Sequence, residues 1–499
     1  MRDSIYSSIS KVLLASTAAA SLAGCTVLGP DFLRPTAPTV TAYTAAPLPP
    51  ATVSADTPIA GDAQRFLQDN DVPGEWWTLF RSPLLNDLVT QALRANPDID
   101  AAQATLRQAH ENVIAQQGAL FPQVNGTGQV GRQQSTTTRN TLDLFNASVS
   151  VSYLIDAFGG VQRSIEAQGA LEENSRFTLE ATYLTLTSNV ITAAIQEASL
   201  SSQIAAIQDI ITAQAQELDL LNQQFELGAV ARGDVLAQQS QLAATQASLQ
   251  PVQKQLEQVR NTLVILTGRY PSEGPVPNIE LADLQLPVDL PLSLPSSLIE
   301  QRPDIRASEA LLHNASAQIG VATANLFPQF TVTGSLTDSA FQVGDFFTGA
   351  DTGWSVIAGL TAPIFRGGTL RAQQRAAYDV FDRSAAQYRG TVLNAFANVA
   401  NVLSALQLDA ENVKTQLYAE QTAEQALEIT QERFQAGAIA YLSLLDAQRT
   451  YQQARIALVI AQANRFADTV ALFQALGGGW WNRQDAPEFH DPKGLARIP

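Results

Sequence analysis

Two stretches of the chain place apolar residues at alternating steps of three and four. In the second half these positions are Phe396, Val399, Leu403, Leu406, Ala410, Val413 and Leu417, and Glu420 interrupts the register. In the first half they are Ile204, Ile207, Ile211, Leu218, Leu221 and Phe225, with Gln214 as the interruption. A 3.5-residue apolar period is typical of packed, supercoiled helices.

Proline is absent from both regions, between Pro122 and Pro251 and between Pro363 and Pro487. Residues 161–227 are rich in Ala, Gln, Leu and Glu, which favour helix. A helix of that extent has about 66 residues and a length of about 100 Å. An ordinary amphipathic core helix is the alternative, but such helices rarely exceed about 25 residues. The sequence therefore predicts long coiled-coil helices.

Four shorter runs alternate apolar with small polar residues, as half-buried strands do. They cover residues 123–130, 147–156, 329–336 and 354–362. The spacing predicts two hairpins, at about 121–158 and about 327–366, each between helices. Strands with one apolar and one polar face fit a soluble sheet or the wall of a membrane barrel, and this pattern alone favours neither.

The two halves of the chain repeat each other. Asn96-Pro97-Asp98-Ile99 is matched by Arg302-Pro303-Asp304-Ile305, 206 positions later. Leu120-Phe121-Pro122-Gln123 is matched at the same offset, and Gly228 is matched by Gly437 at 209. The pattern predicts a tandem duplication. Its repeats are 76–270 and 298–477, separated by the Pro-rich segment 271–297 and followed by a tail at 478–499.

The N-terminus has the layout of a secretory signal peptide over residues 1–24, with Arg2 and Lys11 before a short apolar stretch. Leu22-Ala23-Gly24-Cys25 resembles the bacterial lipobox, which implies a covalent lipid anchor on Cys25. Because Cys25 is the only cysteine, a disulfide is excluded, and a free thiol is the alternative. The residue after the cysteine is Thr26. An Asp at this position would suggest retention in the inner membrane, so Thr26 favours the outer membrane. Residues 25–75, rich in proline from 30 to 60, are predicted to form a lipidated, extended tether.

Four strands cannot close a barrel, and open sheet edges are not tolerated in hydrocarbon. Two chains would supply eight strands, whose interior side chains would largely fill. Three chains would supply twelve, which leaves a lumen. If the strands span a membrane, the sequence therefore predicts a homotrimer.

Several motifs together resemble the outer membrane factor lipoproteins, the NodT/OprM group related to TolC. They are Cys25–Phe32 with Arg34-Pro35, Trp76-Trp77, the two repeated motifs, and Tyr441-Leu442-Ser443-Leu444-Leu445-Asp446-Ala447-Gln448-Arg449. The resemblance implies a mainly α, TolC-like protomer with a membrane β part. Its trimer would join a 12-stranded β-barrel to a long periplasmic α-helical barrel, with an equatorial region built from the inter-repeat segment and the termini.

The same resemblance implies the outer-membrane exit duct of a tripartite efflux pump. Such a duct passively conducts small molecules from a periplasmic adaptor and an inner-membrane RND transporter. Its periplasmic tip is closed at rest and opened by these partners. A type I secretion outlet shares the fold and the gate, and the transported substrate is not indicated.

Carried over by position, the resemblance implies that Leu442 forms an apolar constriction ring at the tip and Asp446 an acidic ring one turn deeper. Asp234, on the companion turn, is a weaker candidate. The alternative for Asp446 is a solvated helix carboxylate or a helix-dipole partner. Adaptor contacts would fall on two glycine-containing turns, at Gly228, Ala229 and Val230 and at Gly437, Ala438 and Ile439. Ordinary helix termination would also explain these glycines.

A formal net charge of −17 excludes nucleic-acid binding, which requires basic residues. The sequence has no metal site, phosphate loop or nucleophile arrangement, and His110 and His313 lack cysteine or second-histidine partners. We therefore expect no catalysis, and no cofactor besides the lipid on Cys25. Two other classes stay open. A trimeric adhesin would place its four strands together at the C-terminus, and a lipid-anchored soluble scaffold would bury them.

Overall fold

The computed structural model describes residues 27–68, 70–134, 141–345, 348 and 352–483. The predicted signal peptide, Cys25 and the tail beyond Arg483 lie outside the described residues. The chain divides into two compact units. The first contains the chain up to Pro35, Ala104–Arg176 and Ala307–Gly390, and the second contains Thr36–Gln103, Phe177–Arg306 and the chain from Thr391 on.

The predicted long helices are confirmed. In the described residues the α-helices are α1 Pro83–Ala95, α2 Pro97–Gln117, α3 Gly160–Glu226, α4 Arg232–Leu266, α5 Pro295–Gln301, α6 Pro303–Ala324, α7 Thr369–Gln435 and α8 Tyr441–Ala475. Helices α3 and α7 have 67 residues each, and α4 and α8 have 35 each. Each repeat thus contains one very long helix followed by one of about half its length.

The apolar register of α7 is buried, as predicted, from Val399 through Leu403, Leu406 and Ala410 to Val413. In α3 the register is followed less closely. Ile207 and Leu221 are buried and Gln214 occupies its register position inside the packing, but Phe225 is 43% exposed. The prediction for Phe225 was wrong because α3 ends one residue later, beyond the buried cluster around Leu221.

A four-stranded antiparallel sheet in the first unit confirms both hairpins. Its strands are β2 Gln123–Gln134, β3 Thr141–Ile155, β5 Gln329–Ala340 and β6 Thr352–Thr361, in the order β2-β3-β5-β6. Strands β3 and β5 join the hairpins of the two repeats, so that Val149 lies opposite Leu336 and Leu336 opposite Trp354. Strands β2 and β6 are the open edges.

The register separates an apolar face of this sheet from a polar one, because directly paired residues share a face. Val149, Leu336 and Trp354 are on the apolar face, and each is about half or more exposed. The polar face carries residues such as Ser148 and Thr337. No described residue of that face is charged. The charged residues of these four strands are on the apolar face near the hairpin turns, at Arg132, Asp143 and Asp338.

In the second unit, the N-terminal, inter-repeat and C-terminal segments meet, as the resemblance implies for an equatorial region. Strand β1, Arg65–Gln68, pairs in parallel with β4, Asp289–Leu292. Trp76 stacks on Phe473 with ring centroids 5.0 Å apart. The indole N–H of Trp480 donates to the carbonyl oxygen of Gln301 at 2.7 Å.

The segment predicted as an extended tether lacks helix before β1, but it is bonded to the helices. In the first unit, Arg34 forms an ion pair with Glu309 at 2.8 Å. In the second unit, the fully buried guanidinium of Arg465 donates to the carbonyl oxygens of Ala60 and Asp62 and, at 3.0 Å, to the Thr52 hydroxyl. At these contacts the segment is therefore packed against the helices and is not a free tether.

Two helices in the described residues, α7 and α8, are long and apolar enough to cross a membrane by length and composition. Their most apolar windows are 28% and 50% buried within the protomer. Core helices pass the same test, so this property alone is weak evidence for a membrane span.

Candidate functional site

The candidate site in the second unit is built on the two turns that follow the longest helices. At the end of α3, Gly228 has φ +74° and the Ala229 N–H donates to the Gln224 carbonyl at 2.8 Å. At the end of α7, Gly437 has φ +71° and the Ala438 N–H donates to the Arg433 carbonyl at 2.9 Å. Both turns are Schellman motifs, in which glycine adopts the left-handed conformation without steric cost.

The turn residues predicted to meet an adaptor are mostly exposed. Gly228, Ala229, Gly437 and Ala438 are exposed, and Ile439 is half-buried. Val230 differs, because its side chain packs against a buried cluster beneath the turns. That cluster consists of Leu221, Val235, Tyr441, Leu444 and Leu445. The structure thus gives Val230 a packing role and leaves the glycine and alanine positions accessible.

Leu442 and Asp446 lie one turn apart on α8 and face away from this cluster. The Leu442 side chain is 71% exposed, and Asp446 is exposed as well. Within the described part of the chain, no bonded partner of the Asp446 carboxylate is found. Asp446 is the sixth residue of α8, beyond the first turn in which the helix dipole acts. The dipole interpretation therefore does not explain this carboxylate.

Asp234 has a local role instead. It is the third residue of α4, and its carboxylate accepts a hydrogen bond from the Ala231 N–H at 3.2 Å. A carboxylate in this position satisfies a free N–H of the helix start and complements the helix dipole. Helix capping thus accounts for Asp234, and its assignment to the gate stays a prediction.

The repeats differ where the gate is predicted. With the offset of 209 that relates Gly228 to Gly437, Asp446 corresponds to Ala237 and Leu442 to Gly233. Ala237 packs against the buried cluster of the tip. The exposed pair of a large apolar residue and a carboxylate therefore belongs to the second repeat alone.

Polar side chains join the repeats beside the gate residues, and sequence reasoning missed them. The Tyr441 hydroxyl donates to the Gln238 side-chain oxygen at 2.5 Å, and the Gln238 amide donates to the Gln214 carbonyl at 2.8 Å. Two turns after Tyr441 on α8, the Gln448 amide donates to the Glu217 carboxylate. Burial raises the pKa of Glu217, and the bond from Gln448 opposes that shift. The interruption of the apolar register at Gln214 marks the same level of the packing, although only the backbone carbonyl of Gln214 takes part in these bonds.

The two histidines that the structure describes, His110 and His313, each bond to a carboxylate. His110 bonds to Glu172 and His313 to Glu166, each at 2.9 Å. Among the residues that the structure describes, no group of three or more His, Cys, Asp or Glu side chains is arranged to hold a metal ion.

Comparison with known families decides what this arrangement belongs to. The sequence profile described as "Outer membrane efflux protein" matches residues 88–269 and 294–478, one match for each repeat. The chain belongs to the outer membrane efflux protein family. This efflux protein is 32% identical over 441 residues to the pyoverdine export outer membrane protein OpmQ of Pseudomonas aeruginosa, covering 85% of this chain and 89% of that protein.

Further relatives cover nearly the whole efflux protein. The cation efflux system protein CusC of Escherichia coli is 28% identical, over 94% of this chain and 98% of CusC. The solved outer-membrane channel OprN superposes with a TM-score of 0.79 at 28% identity, over 91% of this chain and 100% of OprN. The CmeC channel of Campylobacter jejuni superposes with a TM-score of 0.81 over 92% of this chain and 97% of CmeC, and at 20% identity it shows the fold alone.

The efflux protein therefore has a TolC-like fold and is the outer-membrane component of an efflux system. It is located in the outer membrane, with a long helical part in the periplasm. The adhesin and soluble-scaffold interpretations are excluded by this membership. The roles of the individual turn and gate residues stay predictions.

Proposed function

We propose that three copies of this chain pool their four-stranded sheets into one 12-stranded barrel and act as the exit duct of a tripartite pump. The observation that carries the proposal is the sheet itself, which ends at two open edges, β2 and β6. Unpaired edges are not tolerated in hydrocarbon. Pairing β2 of one copy with β6 of the next removes every edge.

The dimensions of the apolar face support a membrane setting. On β3 this face runs from Phe145 to Ile155. Ten residues of antiparallel strand extend about 34 Å, which a tilt of about 40° reduces to about 26 Å. The lipid-facing band of outer-membrane barrels is about 25 Å tall. The polar face would then line the water-filled lumen.

The periplasmic tip is the proposed gate. Three copies of Leu442 form an apolar constriction, and three copies of Asp446 form an acidic ring that attracts cations. The exposure of both side chains in the protomer supports this assignment, as does the packing of Ala237, the first-repeat counterpart of Asp446. A periplasmic adaptor contacts the exposed turns at Gly228 and Gly437, and an inner-membrane RND transporter supplies the energy.

The duct itself selects little among small molecules, catalyses no reaction and carries only a covalent lipid on Cys25. Relatives are named for pyoverdine export, cation efflux and toluene efflux, which are chemically unrelated cargoes. Because one type of duct serves such different cargoes, we infer that the partner proteins select the cargo. These names also favour efflux over protein secretion.

Single-channel recording of purified protein in planar bilayers tests the gate. We expect Leu442→Ala/Asp446→Ala to raise the open probability at least about tenfold. Lowering the free-energy difference that favours the closed channel by about 1.4 kcal/mol changes the ratio of open to closed channels by that factor. Leu236→Ala/Glu432→Ala is the matched control, since it removes an exposed leucine and an exposed carboxylate elsewhere near these turns. Equal gating of both variants would refute the gate, and a monomer in native mass spectrometry would refute the shared barrel.

A further inference from the structure

An exposed apolar and basic surface follows β6 in the first unit. Ile364 is 92% exposed and Phe365 is 87% exposed. Arg366, Arg371 and Arg375 follow and are all exposed. The chain carries no carboxylate from Ile364 until Asp379, although its net charge is −17. We call residues 364–375 the basic junction.

The basic junction lies at the helical end of the sheet. Gln329, the first residue of β5, pairs with Thr361, the last residue of β6, so Ile364 is just beyond that end. The other strand-to-helix junctions of the sheet carry Phe121, Phe158 and Phe327 at the same end. Aromatic residues mark the interface levels of membrane barrels. Because the helical part is periplasmic, this end lies at the periplasmic leaflet of the outer membrane.

The equivalent junction of the first repeat shows which groups surround an arginine at this position. Arg371 corresponds to Arg163 with the offset of 208 that relates Gly159 to Gly367. The Arg163 side chain is only 5% exposed and is covered by the segment that follows Cys25. It donates to the carbonyl oxygens of Leu28 and Gly29 at 3.1 and 3.3 Å and to the carboxylates of Asp31 and Glu166 at 2.7 and 2.6 Å. The guanidinium at this level is therefore surrounded by oxygen acceptors, two of them anionic.

In the second repeat no described segment covers the equivalent position, and Arg371 is exposed there. The guanidinium groups of Arg366, Arg371 and Arg375 have no bonded partner among the residues that the structure describes. Guanidinium binds phosphate oxygens in a bidentate fork, and arginines close to a membrane attract anionic lipids. Ile364 and Phe365, exposed beside them, supply the contact for acyl chains.

We propose that the basic junction binds the headgroup of an anionic phospholipid in the periplasmic leaflet of the outer membrane. The lipid would occupy in the second repeat the level that the lipid-anchored segment occupies in the first. Each protomer would then be held at two points around its sheet, by its own N-terminal segment and by a bound lipid. The proposal rests on the outer-membrane location of the sheet and is independent of the gate.

Native mass spectrometry of the full-length protein tests this inference. Purified protein is incubated with phosphatidylglycerol or with phosphatidylcholine of the same acyl chains, and retained lipids are counted per protomer. We expect retention of phosphatidylglycerol over phosphatidylcholine. Each arginine near the surface contributes about a fivefold preference. Arg366→Gln/Arg371→Gln/Arg375→Gln should therefore abolish the preference, and 1 M salt should weaken it because screening then acts over about 3 Å.

The matched control is Arg383→Gln/Arg389→Gln/Arg433→Gln, which removes the same charge from exposed positions farther along α7. It should retain the wild-type preference for phosphatidylglycerol. Equal loss in both variants would overturn the proposal, since net charge alone would then explain binding. Dissociation of the oligomer by the junction variant, without a change in lipid preference, would show that a second copy covers these arginines. Failure of the wild type to insert into lipid bilayers would instead refute the membrane location itself.

Discussion

The hydroxyl of Tyr441, the first residue of α8, donates to the side-chain oxygen of Gln238 on α4 at 2.5 Å. The bond joins the second repeat to the first, one residue before Leu442. Gln238 is fully buried, and burial together with the nearby carboxylates of Glu217 and Asp234 raises the pKa of Tyr441. The hydroxyl therefore stays protonated and able to donate well above neutral pH. This contact fixes the start of the helix that carries the proposed gate.

We predict that Tyr441→Phe weakens the contact between the start of α8 and α4 without disturbing the apolar packing beneath the turns. The phenylalanine ring would keep the contact with Phe434, whose centroid lies 5.4 Å away. The Gln238 oxygen would lose its donor inside the packing, which costs about 1–3 kcal/mol. We expect faster protease cleavage at the turn around Gly437 and more frequent channel openings in single-channel recordings.

Tyr451→Phe is the control for this variant, because Tyr451 donates to Glu424 across a longer, exposed contact of 3.4 Å. It should leave cleavage and gating as in the wild type. If the two tyrosine variants behave alike, the hydroxyl at position 441 has no special role in holding the helix start.

Much of the fold was readable from periodicity. The alternation of apolar and small polar residues located all four strands, but each strand extends two to six residues farther toward its hairpin turn than the alternating run. The 3.5-residue register located α7 and its buried positions. A regularly repeated apolar position indicates the side of a helix or strand that is buried. The glycines at 228 and 437 located the turns because few other residues adopt positive φ.

The contacts between segments distant in the chain were not readable in this way. Strands β1 and β4 have four residues each, too few to show alternation, and β4 lies in the proline-rich inter-repeat segment. The bonds of Arg163 depend on a backbone path that no periodicity encodes. Arg465 could have been found, since it occupies a position that the second repeat shares with Leu256 of the first. A charge at a core position indicates a buried polar network.

We predict that Arg465→Ala releases the segment from Thr52 to Asp62. Removing the buried guanidinium leaves the carbonyl oxygens of Ala60 and Asp62 without their donor, which should lower the free energy of unfolding by at least about 3 kcal/mol. Hydrogen exchange of residues 52–62 should rise above that of the wild type. Arg455→Ala is the control, because its ion pair with Asp209 is exposed and contributes about 1 kcal/mol or less. Equal protection of the segment in both variants would contradict this role.

Stability should also depend on Asp468 of α8. Burial and the neighbouring Asp409 carboxyl raise the pKa of Asp468 from 3.8 to about 7. Between these values the folded chain holds a proton that the unfolded chain releases. The contribution of Asp468 to the free energy of unfolding is therefore complete below about pH 4 and is lost as the pH rises through about 7.

We predict that Asp468→Asn flattens this pH dependence, because the amide stays neutral throughout. Its thermal unfolding midpoint should exceed that of the wild type at pH 8 and approach it at pH 4. Asp219→Asn, which alters an exposed carboxylate of α3, is the control and should follow the wild-type curve. Parallel curves for wild type and Asp468→Asn would show that the folded chain does not hold this proton.

The ion selectivity of the open duct should be determined at the tip. The polar face of the sheet carries Ser, Thr, Asn and Gln but no charge in its described residues, so it exerts no net field on ions in the lumen. The three Asp446 carboxylates would then be the main source of cation preference. We predict that Asp446→Asn moves the reversal potential in a tenfold salt gradient to near zero. Asp143→Asn, on the apolar face, should leave it unchanged, and Ser150→Lys, on the polar face, should reverse its sign. A cation preference that survives Asp446→Asn would place the selective charges elsewhere and remove Asp446 from the pore axis.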